Sequence, residues 1–195
     1  MKENKEEHPE RKGMRTSVIV SHPRQGTIAL FFSGRNHAGE NLDEVLSQRE
    51  PSAEVPKQMS DALSHNKPKK NQTLPFFCLS HALRLFAEII FYFPEACRYV
   101  LGALGKVFDF DATARAEAMT DLQRLSYHQL HSAPVLAELK IWAQKQLEEK
   151  RVEPNSSLGK AIRYLLNHWE NLTRFLSVEG VPLDNNLSER SLKFA

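Results

Sequence analysis

The sequence predicts an α+β protein in which the strands come first and the C-terminal half is largely helical. Two stretches near the start, "TSVIV" (16–20) and "TIALFF" (27–32), are β-branched and aromatic, and the turn-forming segment "SHPRQG" separates them. From Pro94 onward the chain is typical of helices, and over residues 158–176 apolar residues recur every three or four positions, which is the period of an amphipathic helix. We therefore expect three or four strands, all before residue 81, with the first two pairing antiparallel, and helices after it.

Composition limits the class of protein. The chain has 195 residues, of which 41% are hydrophobic, enough for one domain or slightly more with a real core. A net charge of +2 does not by itself indicate nucleic-acid binding. Cys78 and Cys97 lack metal-ligand spacing, so they indicate reduced thiols rather than zinc ligands. No apolar run reaches the ~20 residues of a membrane span, so we expect a cytoplasmic protein with no membrane partner.

The N-terminal half should contain short elements separated by polar loops. Residues 1–14 are dense in charge and are expected to form a disordered tail. The segment "AGENLDEVLSQRE" (38–50) should form a short helix, with Glu40 or Asn41 near its start. "KQMS" reads as a short strand that ends at Asp61, followed by a basic loop and a buried strand in "LPFFCLS". A helix is then expected from about residue 81 to residue 93.

In the C-terminal half, capping signals suggest several separate helices. Pro94 suits a first helical turn, where its missing N–H costs nothing. Asp111 reads as the cap of a further helix, and Ser132 with Pro134 reads as the start of another. The apolar spacing over 158–176 predicts one strong amphipathic helix, which Gly180 should end.

The histidines offer only a weak metal candidate. His128 and His131 lie three residues apart on a predicted helix, but no third ligand is evident. Exposed helical histidines are common, so the ordinary interpretation is preferred over a metal site. The sequence also has no glycine-rich phosphate loop and no G-x-S-x-G motif.

Two carboxylates, Asp61 and Glu189, have both an ordinary and a chemical interpretation. Asp61 follows a short strand, where a turn or capping aspartate is common. Asn186 and Glu189 have the spacing of a capping box, in which the Glu side chain reaches back to the N-cap backbone. Both are also hard oxygen ligands of the kind that Mg²⁺ prefers. From the residues alone, the capping roles are the commoner interpretation, and the metal-binding one stays open.

Four stretches together resemble one family, the transposases of the insertion-sequence sixty-six group, a branch of the DDE transposases. The most specific stretch is "SSLGKAIRYLLNHWENLTRFLSVEGVPLDNNLSER". The others are "IALFFSGRNHAGENLDEVL", "QMSDALSHN" and "CLSHALRLF", the last with Leu83 where an arginine is expected. The likeness runs from about residue 16 to the last residue.

The resemblance implies an RNase-H-like core, here incomplete, in which three carboxylates hold two metal ions that cut and join DNA. It suggests that residues 15–195 form a partial catalytic domain with a helical insertion at about 94–155. Asp61 resembles the family's second catalytic, metal-binding carboxylate and Glu189 the third, so the two side chains are expected to converge. The implied cofactor is Mg²⁺, and the implied partner is DNA at the element ends, with a homo-oligomer or an intact transposase as a further partner.

The chain departs from the family pattern at its start. The family's first catalytic aspartate is expected on a strand upstream of the hairpin, where this chain has only the charged segment "MKENKEEHPERKG". We therefore expect a transposase truncated at both ends, without the family's N-terminal DNA-binding part, that does not cleave DNA alone. The alternative is a non-catalytic interaction or inhibitor protein that binds intact transposase or DNA, and a chain without function is a third possibility.

Overall fold

The structure, a computed structural model, describes residues 13–22, 26–50 and 52–186. The chain divides into two compact units. The first comprises Met1–Pro75 together with Asn185–Ala195, and the second comprises Phe76–Asp184. The expected tail up to residue 12 and the expected capping box at Glu189 lie outside the described residues.

The first unit opens with the predicted hairpin. Strands β1 (Arg15–Ser21) and β2 (Ile28–Gly34) pair antiparallel, with Ile19 opposite Leu30, which confirms the sequence prediction. The predicted helix follows as α1 (Ala38–Leu46), and at its start the backbone N–H of His37 donates to Glu40 Oε2 at 2.7 Å. Asn41 on α1 donates to Ser17 Oγ at 2.8 Å and so ties the helix to β1.

A second two-stranded sheet consists of β3 (Lys57–Ser60) and β4 (Leu74–Phe77), the predicted short strands. A single 3₁₀ turn, Ser64–Asn66, lies in the loop between them. All strands among the described residues precede residue 81, and residues 95–180, which the structure describes throughout, contain none. The α+β class is therefore confirmed.

The second unit is helical. Its helices are α2 (Leu79–Ala87), α3 (Pro94–Ala116), α4 (Asp121–Glu148), α5 (Ser157–Asn167) and α6 (Trp169–Thr173). The largest fully buried apolar side chains among the described residues belong to this unit, including those of Phe76, Phe86, Leu104, Leu136, Leu139, Ile162 and Leu165. None of the helices that the structure describes is long and apolar enough to span a membrane. The helical unit thus has its own hydrophobic core.

Helix boundaries in this unit correct several expectations. The helix expected to reach residue 93 is α2, which ends at Ala87 and is followed by turns. Asp111 does not cap a helix but lies inside α3, because Val107 and Ala114 on the same helix are buried and keep it continuous. The actual break is at 117–120, where Thr120 caps α4 through a capping box with Gln123.

Two further boundaries differ from the sequence prediction. Ser132 and Pro134 do not start a helix, since both lie within the continuous α4. The burial of Leu136 and Leu139 there stabilises the helix enough to offset the backbone hydrogen bond that proline removes. The amphipathic run over 158–176 is interrupted at His168, which separates α5 from α6. Pro94 does occupy the first turn of α3, as predicted.

Candidate functional site

Asp61, predicted from the sequence as a site residue, follows directly after β3 and is partly buried. Its Oδ1 accepts hydrogen bonds from the side-chain amide of Asn66 and, at 3.3 Å, from the backbone N–H of Leu63. Its Oδ2 has no donor among the described residues. One carboxylate oxygen is therefore used to orient the side chain, and the other is open to a ligand.

The turn that holds Asp61 is itself fixed to the β3–β4 sheet. Gln58 on β3 donates to the backbone carbonyl of Asn66 at 2.6 Å. Thr73, just before β4, donates to Gln58 Oε1 at 2.8 Å. Asn66 is thus held through its backbone while its side chain binds Asp61, so the carboxylate is positioned by the sheet rather than by a free loop.

Helix α1 supports the same loop from another direction. A Cβ on Gly39 would come within 2.9 Å of the carbonyl oxygen of His65 and closer still to that of Lys67, so only glycine allows this approach. The rings of His37 and His65 pack together with their centroids 4.3 Å apart. The start of α1 therefore lies directly against the loop that follows Asp61.

Asp43 on α1 fixes the rest of the loop, a role that the sequence did not reveal. Its buried carboxylate accepts hydrogen bonds from the backbone N–H groups of Lys69 at 2.7 Å, Lys70 at 3.0 Å and Asn71 at 2.9 Å. Burial alone would raise the pKa of Asp43, but these hydrogen bonds outweigh it and hold the pKa below its ordinary value. Asp43 is therefore ionised at neutral pH.

The loop exposes three lysines. Lys67, Lys69 and Lys70 are all exposed, and none of the ion pairs within the described part of the chain involves them. We call residues 67–70 the lysine loop. It begins one residue after Asn66, whose side chain binds Asp61. An oriented carboxylate and a cluster of unneutralised cations therefore lie next to each other in the chain.

The described residues do not by themselves form a metal site. Among them, no group of three or more His, Cys, Asp or Glu side chains is arranged to hold a metal ion. The open oxygen of Asp61 suits a single carboxylate ligand for Mg²⁺. Glu189, the other expected ligand, lies outside the described residues, so its convergence with Asp61 remains a prediction.

A second polar cluster, which sequence reasoning missed, lies in the helical unit. Asp111 is 1% exposed; its Oδ1 lies 2.6 Å from Nη2 of Arg124 and 3.2 Å from Nε2 of His128. Arg115 also pairs with this carboxylate. The Nδ1 of His128 lies 2.9 Å from Oγ of Ser132. His128 is therefore not an exposed helical histidine, as the sequence suggested, but a buried partner of Asp111.

This cluster contains the residue types of a hydrolytic triad, but its burial argues against that chemistry. Ser132 has no exposed surface and His128 is 2% exposed, so a substrate could not reach the hydroxyl. Burial alone would raise the pKa of Asp111, but the hydrogen bond from His128 and the charge of Arg124 hold it below its ordinary value. The cluster joins α3 to α4. Its only signal in the sequence was the i, i+4 spacing of Asp111 with Arg115 and of His128 with Ser132.

Comparison with known proteins identifies relatives of the chain. The family model described as "Transposase IS66 family" matches residues 6–195, beginning before the position from which the sequence resemblance was expected. The chain is 36% identical over 120 residues to the uncharacterized protein y4jD of Sinorhizobium fredii (strain NBRC 101917 / NGR234). That alignment covers 60% of this chain and 22% of the relative's length. No solved structure matches the chain.

Proposed function

This chain belongs to the IS66 transposase family, and we propose that it is a transposase-like protein that binds DNA and carries part of a divalent-metal site, to which Asp61 contributes. The observation that carries the proposal is the state of the Asp61 carboxylate. Asn66 and Leu63 hold its Oδ1, while its Oδ2 has no donor among the described residues. A carboxylate fixed in this way can accept a cation without first giving up another partner.

Glu189 is the proposed second ligand, and an RNase-H-like arrangement of the catalytic region is part of the proposal. A Mg²⁺ ion bound by such carboxylates would stabilise the negative charge that develops on a phosphate during strand cleavage. The role of this chain's own residues is to hold the ligand oxygens in place. Asn66 and Gln58 do so for Asp61, because they connect its carboxylate to β3.

We further propose that the chain does not cleave DNA by itself. Only two of its residues, Asp61 and Glu189, resemble the three carboxylates that the family's two-metal chemistry uses. Mg²⁺ gives up its waters reluctantly, so a site with too few protein ligands stays hydrated and positions the scissile phosphate poorly. The protein is expected to work in the cytoplasm, where its DNA partner lies.

A cleavage assay tests this proposal. The purified chain is incubated with labelled duplex carrying the element ends, with Mg²⁺ or Mn²⁺, beside Asp61→Asn and the control Asp109→Asn, an exposed aspartate on α3. We expect no nicking by any of the three proteins. Metal-dependent nicking that Asp61→Asn abolishes would overturn the inactivity and support the site. Nicking that Asp61→Asn leaves unchanged would overturn both the proposed inactivity and the proposed role of Asp61 in a metal site.

The second candidate is a non-catalytic protein that binds intact transposase and inhibits it. The observation that favours it is the β1–β2 hairpin, which forms a sheet of its own and exposes Ile28 (53%), Leu30 (38%) and Phe31 (42%). Each strand of a two-stranded sheet has an open edge that another chain can pair with. Adding this chain to an active family transposase would then lower transposition. Replacing Leu30 and Phe31 with threonine should remove that inhibition, and inhibition that survives the change would exclude the hairpin as the contact.

A further inference from the structure

We propose that the lysine loop, residues 67–70, binds the phosphate backbone of duplex DNA beside Asp61, and that Asp43 is the positioning residue that holds the loop in its binding conformation. The inference deepens the proposed function, on which its choice of DNA as the partner rests. Family membership assigns no residue to DNA contact. The residues that carry the inference all belong to the first unit, and the structure describes every one of them.

The backbone of the lysine loop is bound by a buried carboxylate on helix α1. Asp43 binds the backbone N–H groups of Lys69, Lys70 and Asn71, and it also accepts from the side-chain amide of Asn71 at 3.1 Å. It contacts the backbone of these lysines and not their ammonium groups. Its negative charge is therefore used to shape the loop, and the side-chain ammonium groups do not form an ion pair with it.

The positive charge of the lysine loop has no counterion among the described residues. Three ammonium groups project from four consecutive residues, and the described residues provide no carboxylate that pairs with any of them. Like charges this close repel each other, so the arrangement is stabilised when an anion binds. Duplex DNA presents one negative charge per about 1.7 Å of helix axis, which suits several neighbouring cations at once.

The position of the loop places these cations beside the proposed metal ligand. The loop has little freedom, because Gly39 allows α1 to approach the backbone at His65 and Lys67, and Asp43 holds residues 69–71. Asn66, immediately before the loop, is bonded to Asp61. A DNA backbone held by the lysines therefore passes near the carboxylate proposed to bind the metal. Such contacts fix the position of the duplex without reading its sequence.

The test measures binding of a short labelled duplex of mixed sequence in EDTA at several salt concentrations, so that metal binding plays no part. The variant combines Lys67→Gln, Lys69→Gln and Lys70→Gln. The control combines Lys106→Gln, Lys145→Gln and Lys160→Gln, three exposed lysines on α3, α4 and α5, and it lowers the net charge by the same amount.

The loop variant should lose three phosphate contacts, and each contact contributes about 0.9 to the slope of log K against log salt. Its slope should therefore be shallower by about 2.7, so that a fourfold rise in salt weakens the wild type about 40-fold more than the variant. The control should keep the wild-type slope. Equal slopes for the variant and the wild type, or equal losses in the variant and the control, would overturn the proposal.

Asp43→Asn separates loop positioning from overall charge. The change removes a negative charge, so long-range electrostatics alone predicts tighter DNA binding. The proposal predicts the opposite, weaker binding with a shallower salt slope, together with faster hydrogen exchange at the amides of residues 69–71. Tighter binding by Asp43→Asn would contradict the positioning role.

Gly39→Ala provides the same test without any change of charge, since the added methyl group displaces the loop backbone. It should weaken DNA binding as Asp43→Asn does, and unchanged binding would count against the proposal. Hydrogen exchange at the amides of β1 and β2 in both variants shows whether the first unit stays folded.

The failures of the two proposals are distinguishable. DNA binding in EDTA that does not depend on the lysine loop overturns this inference alone. Metal binding that does not depend on Asp61, measured without DNA, overturns the proposed function. The result for the lysine loop is not affected by that outcome.

Discussion

Asp111 on α3 and His128 on α4 face each other in the interior of the helical unit, with Oδ1 of the aspartate 3.2 Å from Nε2 of the histidine. Arg124 shares the same carboxylate oxygen. A buried carboxylate with this many partners remains charged. Arg124 and His128 both use it as their hydrogen-bond acceptor. The pairing of α3 with α4 therefore depends on a polar contact as well as on the apolar core.

Removing the charge of Asp111 should destabilise the helical unit. Asp111→Asn leaves Arg124 and His128 without their anion, and breaking a buried ion pair on one side typically costs about 3–5 kcal/mol. Urea denaturation followed by circular dichroism measures the change in the free energy of unfolding. Asp109→Asn, on an exposed position of the same helix, should change it by less than about 0.5 kcal/mol. Similar small losses in both variants would show that the cluster contributes little.

The same carboxylate makes stability depend on pH in the acid range. The pKa of Asp111 in the folded protein lies below its ordinary value of 3.8, since the hydrogen bond from His128 and the charge of Arg124 outweigh the effect of burial. Its contribution is therefore fully present above pH 3.8 and is lost as the pH falls through the folded-state pKa. Between about pH 5 and about pH 2, the wild type should lose more unfolding free energy than Asp111→Asn. Parallel curves would contradict this assignment.

Two helical glycines should respond in opposite directions to alanine. A methyl group on Gly102 of α3 would meet no atom within 4 Å, so Gly102→Ala should stabilise the protein by about 1 kcal/mol through helix propensity. A methyl group on Gly159 of α5 would lie 2.8 Å from the carbonyl oxygen of Pro154 and closer to that of Glu153. Gly159→Ala should therefore destabilise by about 1–3 kcal/mol. Thermal melts of the two variants measure the direction of each stability change. A rise in melting temperature for both would refute the close approach at Gly159.

Substitutions at Glu189 separate its two predicted roles, although the residue lies outside those that the structure describes. Glutamine can replace glutamate in a capping box but is a weaker ligand for Mg²⁺. Glu189→Gln should therefore preserve stability while weakening metal binding. Glu189→Ala should weaken metal binding and also cost about 0.5–2 kcal/mol of stability. If the two variants are equally stable, the capping role is wrong.

The local features of the fold were predictable, whereas those set by distant partners were not. The β1–β2 hairpin and the start of α3 at Pro94 follow from short sequence signals. The interior position of Asp111 could not be predicted, because an aspartate usually caps a helix and its burial here depends on Arg124 and His128, 13 and 17 residues away. Arg124 and His128 on α4 stabilise the Asp111 carboxylate inside α3, where a buried charge would otherwise be unfavourable.

The candidate site shows the same division. Asp61 is proposed as a site residue because of the family resemblance, since the residues alone favour a turn aspartate. Asp43 was missed because its partners, the N–H groups of Lys69, Lys70 and Asn71, are backbone groups that leave no signal in side-chain spacing. Only the folded loop shows that Asp43 binds the backbone of the lysine loop and does not form an ion pair with its lysines.

The role of Asp61 as a metal ligand is tested most directly by a Mn²⁺ titration of the purified chain, followed by electron paramagnetic resonance without DNA. We expect weak binding that Asp61→Asn reduces further, since the carboxylate supplies a charged ligand. Asp109→Asn should bind Mn²⁺ as the wild type does. Equal Mn²⁺ binding by the wild type and Asp61→Asn would contradict the central claim that Asp61 is a metal ligand.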